Sequence, residues 1–143
     1  MASLSERKIY AEVQILSSGW SLLAKVYKSS EPFDGQFWNC QSGQIGVRDE
    51  LDSSLEGLFP YRSCLNIGAN RSGLYLSIFI LFRLWHPPLF IPWSDVTVSS
   101  EEGFLGRRMK FSFRQVPLVS LHISERVGQE IVKYAEWPMP SAT

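Results

Sequence analysis

The sequence predicts an α+β domain in which about seven short antiparallel strands lie between two amphipathic helices. Three observations predict it. Residues 37–123 break into short apolar or alternating runs separated by Gly, Asn, Pro and Ser, the punctuation of strands and turns. The run "RRMKFSFR" (107–114) alternates cleanly, with Met109, Phe111 and Phe113 on one face and Arg108, Lys110, Ser112 and Arg114 on the other. Two flanking segments repeat instead every three or four residues, which is the helical period.

The first helical segment is "SSGWSLLAKVYKSS", where Trp20, Leu23, Ala24 and Tyr27 form one apolar stripe. Ser17 or Ser18 can cap its start, and "SSEP" (29–32) ends it. Upstream, Ile9, Val13 and Leu16 continue the stripe, while "AEVQIL" also alternates as a strand would; both readings stand. Strands are expected at 37–47, 63–69, 74–82, 89–93, 96–100, 107–114 and 117–123. "NRSG" (70–73) and "EEGFLG" (101–106) are expected to be turns. In the last strand Val119, Leu121 and Ile123 oppose Ser120 and His122, so one sheet face is core and the other wet. "RDELDSSLEGLFPYR" (48–62), with Leu51, Leu55 and Leu58 at loose helical spacing, reads as a short surface helix or a long loop. The final helix is "SERVGQEIVKYAEW". Ser124 is its N-cap, Val127, Ile131, Tyr134 and Ala135 share a face, and Pro138 and Pro140 stop it.

"LFRLWHPPLFIPWSDV" (81–96) makes best sense as a hairpin. Pro87 and Pro88 fix φ and withhold two N–H groups at the turn, Ser94-Asp95 breaks the returning strand, and Trp93 belongs to the core.

The chain has 143 residues, the size of one domain, divided as a helical extension (1–36), a β domain with its C-terminal helix (37–137) and a disordered tail (138–143). It is 45% hydrophobic and 20% charged, a globular composition. Fourteen basic and fourteen acidic residues cancel, which argues against nucleic acid as a partner. Two cysteines are too few for a disulfide framework and show no zinc spacing. No export signal is visible, and the longest apolar run, "LYLSIFILF", has nine residues against the roughly 20 that span a bilayer. The expectation is a soluble cytoplasmic protein without cofactor or metal.

Two short patterns carry a resemblance. A strand beginning "GLYL" (Gly73 to Leu76) and a returning strand ending "IPWSDV" (Ile91 to Val96), within seven strands closed by a helix, resemble pleckstrin-homology-like domains of the GRAM and bacterial subset. The similarity covers roughly residues 37–137. The chain is also similar to small uncharacterised bacterial proteins carrying "GLYL" and "HPPLFIPW" segments. The resemblance implies a half-open sandwich or barrel of two orthogonal sheets plugged by the C-terminal helix. It also implies a binding role toward phosphoinositides, peptides or proteins. Lipid-binding members place basic residues between the first two strands, where this chain has Asp49, Glu50, Asp52 and Glu56, and such a loop repels a phosphorylated headgroup.

Catalytic motifs are absent: no HExxH, GxSxG or P-loop occurs, and no nucleophile or carboxylate lies beside His86 in sequence. Glycines in "SGQIG" and "GANRSG" read as turns and a strand glycine. The binding candidates are Trp85 and His86 at the hairpin tip, and the basic stripe Arg107, Arg108, Lys110 and Arg114. The expected function is a non-enzymatic interaction module for a protein, a peptide or a second copy of the chain. Strand addition at an open sheet edge or contact through Trp85 would be its mode. The alternative is attachment to an anionic membrane through Arg108, Lys110 and Arg114, and a third reading is a small ligand in the barrel interior.

Overall fold

The computed structural model describes residues 19–48, 56–78, 86–103 and 106–134. Helix α1 covers 19–27. Seven strands follow: β1 (Gln36–Arg48), β2 (Glu56–Ala69), β3 (Gly73–Ile78), β4 (Leu89–Pro92), β5 (Val96–Gly103), β6 (Gly106–Phe113) and β7 (Val116–Ser124). Helix α2 (Glu125–Val132) ends the described fold. All seven strands form one sheet in the order β4-β3-β2-β1-β7-β6-β5, antiparallel at every step. The edge strands β4 and β5 are consecutive in sequence, joined only by a 3-10 turn at Trp93–Asp95. So short a link requires the sheet to curl until its two edges approach each other at that corner.

The core lies inside the curl. Met109, Phe111 and Phe113 of β6 and Val119, Leu121 and Ile123 of β7 are buried, as their alternation predicts. On α1, Trp20 and Leu23 are fully buried and Tyr27 nearly so, within the same hydrophobic cluster as the strands. The stripe therefore covers the sheet. Gly19 lets the helix start rest directly on β1, since a Cβ there would stand 2.5 Å from Ile45 Cγ2. Two backbone bonds tie the next residues to β4: Lys28 bridges to Leu89, and Ser29 N donates to the Pro88 carbonyl at 2.9 Å.

Local chemistry sets the corners. Asn70 Oδ1 accepts from Ser72 N (2.8 Å) and Gly73 N (3.1 Å), closing the β2–β3 turn read from "NRSG". Gly73 packs under the Ile91 carbonyl and the Phe90 ring, so no side chain fits there. The Trp93 indole is buried and donates from Nε1 to the Asn70 carbonyl at 2.6 Å. At the other end of the 3-10 turn, Arg114 N donates to the Asp95 carbonyl at 2.8 Å. Ser124 caps α2 by accepting from Val127 N.

Several expectations are corrected. Residues 56–62, read as surface helix or loop, form the first half of β2; residues 49–55 lie outside the described set. Leu58 sits on an exposed strand position, so its leucine spacing reported no helix. Glu101, Glu102 and Gly103 continue β5 instead of turning, paired with Arg108, Arg107 and Gly106. Tyr134 is 40% exposed and not part of the buried α2 face; it stacks edge-on against Trp38, while Gly128 takes the buried place against Met109. The predicted caps Ser17 and Ser18, the upstream stripe through Ile9, Val13 and Leu16, the end of the third strand (79–82), Ala135 and the tail lie outside the described residues.

Candidate functional site

Alternation on four adjacent strands builds a polar floor. Position 44 of β1 lies opposite Pro60 of β2 and His122 of β7, and His122 lies opposite Lys110 of β6. Inward neighbours such as Ile45, Leu121 and Phe111 fill the core, so Gln44, His122 and Lys110 share the outer face. This face holds a groove of about 670 Å³ running from β2 across β1 and β7 to β6. Arg62 lines one wall, Arg107 and Arg108 the other, and Gln44, His122 and Ser124 lie between them. No carboxylate is among the described lining residues.

The acids stand behind the arginines. Glu125 Oε2 lies 3.0 Å from Arg107 Nε, and the Arg107 side chain is still 57% exposed. Glu101 Oε1 lies 3.4 Å from Arg108 Nη2 and also takes His122 Nδ1. Arg108 Nη1 donates to Gln44 Oε1, while its Nε is buried with no acceptor. An orphaned donor costs on the order of 1–3 kcal/mol, so Arg108 rests in an imperfectly satisfied position. Arg62 is exposed and forms no ion pair among the described residues.

Beneath the groove runs a buried relay. Ser120 Oγ is 2.8 Å from His122 Nε2, and His122 Nδ1 meets Glu101. A carboxylate only accepts, so Nδ1 carries a proton toward Glu101, and in the uncharged ring Nε2 would accept from Ser120. The order Ser–His–carboxylate is that of an activated nucleophile, but Ser120 is 4% exposed and does not line the groove. The relay orients His122 and anchors Glu101.

The expected wet face of β7 is thus corrected, since His122 is 2% exposed. Flanking strands carry long side chains here, and Glu101 and Ser120 close over the ring. The four cations of the basic stripe do not share one surface. Arg107 and Arg108 both line the groove, but Arg107 turns its head to Glu125 of α2; Lys110 is half-buried opposite His122, and exposed Arg114 sits in the turn after β6, at the far end. Trp85 lies outside the described residues. His86 is half-buried on another part of the molecule: its Nε2 is 3.2 Å from Tyr61 Oη and its ring meets Trp20 edge-on. Burial pushes the Tyr61 phenol and the Cys64 thiol up, which keeps both neutral. Among the described residues no cluster of three His, Cys, Asp or Glu could hold a metal ion.

No family model, curated protein or solved structure matches the chain. Its own geometry therefore carries the functional reading. Among the described residues no helix is long and apolar enough to cross a membrane. Sequence reasoning missed Arg62 and Gln44. Arg62 fell in a segment read as helix or loop, and Gln44 in a glycine-rich stretch without a visible face; the strand period of "FPYRSCLNIG" was the signal available.

Proposed function

We propose that the chain is a non-enzymatic binding module that takes an extended segment of a protein or peptide as an added strand on β5. One observation carries this reading: the outer edge of β5 has no partner strand among the described residues, over the eight positions Val96–Gly103. The opposite edge differs, because Lys28 and Ser29 bond to Leu89 and Pro88 beside β4. An open edge presents a row of unpaired N–H and C=O groups, which an extended segment can satisfy. A second copy of the chain, pairing β5 to β5, is one form such a partner can take. The strand order with a helix after β7 supports, in the same sense, a pleckstrin-homology-like arrangement.

The test uses a peptide display library selected on the full chain, with binders mapped by amide NMR. The expected binders are extended and shift the amides of 96–103. Two variants sharpen the outcome, Ser99→Pro and Ser100→Pro. Neighbouring residues point their N–H groups to opposite sides of a strand, so one proline faces β6 and unfolds the edge. The other faces out, keeps the fold and must abolish binding. Binders that survive the fold-preserving proline would sink the strand-addition reading, and binding to anionic vesicles in place of peptides would favour a membrane role.

A further inference from the structure

The groove on the outer face is separate from the β5 edge and does not depend on the strand-addition reading. Its volume, about 670 Å³, falls in the range of small-molecule sites. Its lining is cationic at both ends and neutral in the middle. Arg62 stands on β2 and Arg107 and Arg108 on β6, three strand spacings apart, or roughly 14 Å between backbones. Between them lie the polar residues Gln44, Ser42 and Ser124, with Pro60 and Ile123 as apolar lining residues. No Phe, Tyr or Trp is among the described lining residues.

We propose that this groove binds a small linear dicarboxylate, one carboxylate taken by Arg62 and the other by Arg108. Guanidinium forks match planar carboxylates with two parallel bonds. The resting partners of the arginines leave room for exchange. Arg62 forms no ion pair among the described residues. Arg108 lies 3.4 Å from Glu101, longer than a close charge-assisted bond, and its Nε has no acceptor. Reorienting toward a ligand relieves that orphan. Glu101 stays satisfied through His122 when Arg108 moves. The neutral centre suits the methylene chain of a ligand whose charge sits at its ends.

The experiment is an NMR titration of the full chain at low salt with adipate, acetate, inorganic phosphate and anionic vesicles as four separate probes. Adipate is expected to saturate, shifting amides of 42–44, 60–62, 106–108 and 122–124, with at least about tenfold tighter binding than acetate or phosphate, which engage one end only. Arg62→Gln and Arg108→Gln should each weaken adipate by about tenfold, the loss of one charge-assisted pair. Arg114→Gln, at the far end of β6, should change nothing. Amide spectra away from the groove report that each variant is folded. The proposal is overturned by adipate binding no tighter than acetate, by phosphate or vesicles binding more tightly than adipate, or by equal weakening in the Arg114 variant.

Discussion

The Tyr27 hydroxyl donates to Asp95 Oδ2 at 3.0 Å, joining α1 to the turn between β4 and β5 across 68 positions of sequence. Gln115 completes the clamp: its Nε2 donates to the same carboxylate oxygen at 2.7 Å and its backbone N to the Tyr27 oxygen at 3.3 Å. Helix, sheet corner and the β6–β7 turn thus meet on one buried acid.

Tyr27→Phe should lower stability by about 1 kcal/mol at neutral pH, since it removes the donor to Asp95 and the acceptor for Gln115. Its pH dependence is specific. Burial first, then the bond to Asp95 and its charge, push the Tyr27 phenol from 10.0 up to about 12, against a lowering by the Gln115 amide. A raised folded value means the clamp contributes fully below pH 10 and fades as pH climbs from 10 toward about 12. Urea unfolding of the wild type and the variant at pH 8 and pH 11 checks it. Tyr61 and Cys64 titrate in both proteins and cancel in the difference. A gap that stays constant with pH would refute the assignment.

Gly128→Ala should destabilise the protein despite the better helix propensity of alanine. A Cβ at 128 would stand 2.9 Å from Met109 Cβ, where β6 and α2 touch. Overpacking of this kind costs roughly 1–3 kcal/mol, against a propensity gain of about 1. Combining it with Met109→Ala removes Sδ and Cγ, two of the three atoms in the way, so the two losses should add to less than their sum. Strict additivity in a double-mutant cycle would contradict the contact.

Trp20→Ala should cost on the order of 3–5 kcal/mol, because the indole is fully buried and its Nε1 donates to the Pro87 carbonyl at 2.8 Å. Since α1 shares its core with the strands, hydrogen exchange should rise together in α1, β3 and β4. Protection lost from α1 alone would mean that the helix is an independent attachment.

The neutral His122 ring should carry its proton on Nδ1, a tautomer readable from imidazole ¹⁵N shifts. Glu101→Ala removes the acceptor that holds this ring, and also the partner of Arg108. It should cost about 1–3 kcal/mol and more than Ser120→Ala. An Nε2–H ring in the wild type would reverse the direction of the relay.

Much of the fold was legible because it rests on local periodicity. Met109, Phe111 and Phe113 announce a strand with one buried face, and Trp20, Leu23 and Tyr27 a helix with one buried stripe, whatever they pack against. The "NRSG" turn, the break at Ser94-Asp95 and the Ser124 cap were readable for the same reason: each depends on side chains reaching their own backbone a few residues away. The first half of β2 was hard to read, because Leu51, Leu55 and Leu58 suggested a helical spacing that masked the alternation of Phe59 and Tyr61. Its strand is held by pairing with β1, from Arg48↔Glu56 to Gly43↔Tyr61. Pairing across strands is a non-local choice that leaves little trace in one segment.

The groove shows the same division. Arg107 and Arg108 were visible as a basic run, and alternation placed Arg108 and His122 on outer faces. Their meeting with Arg62 and Gln44 was decided only by the order β2-β1-β7-β6, which sets residues 44, 62, 108 and 122 side by side. So was the burial of His122, which no property of "SLHIS" required: it followed from Glu101 arriving two strands away. Sequence by itself determined which faces are apolar, because that depends on spacing along one chain. Tertiary structure decided which polar residues face one another, because hydrogen bonds and ion pairs depend on distances that only the register of paired strands sets.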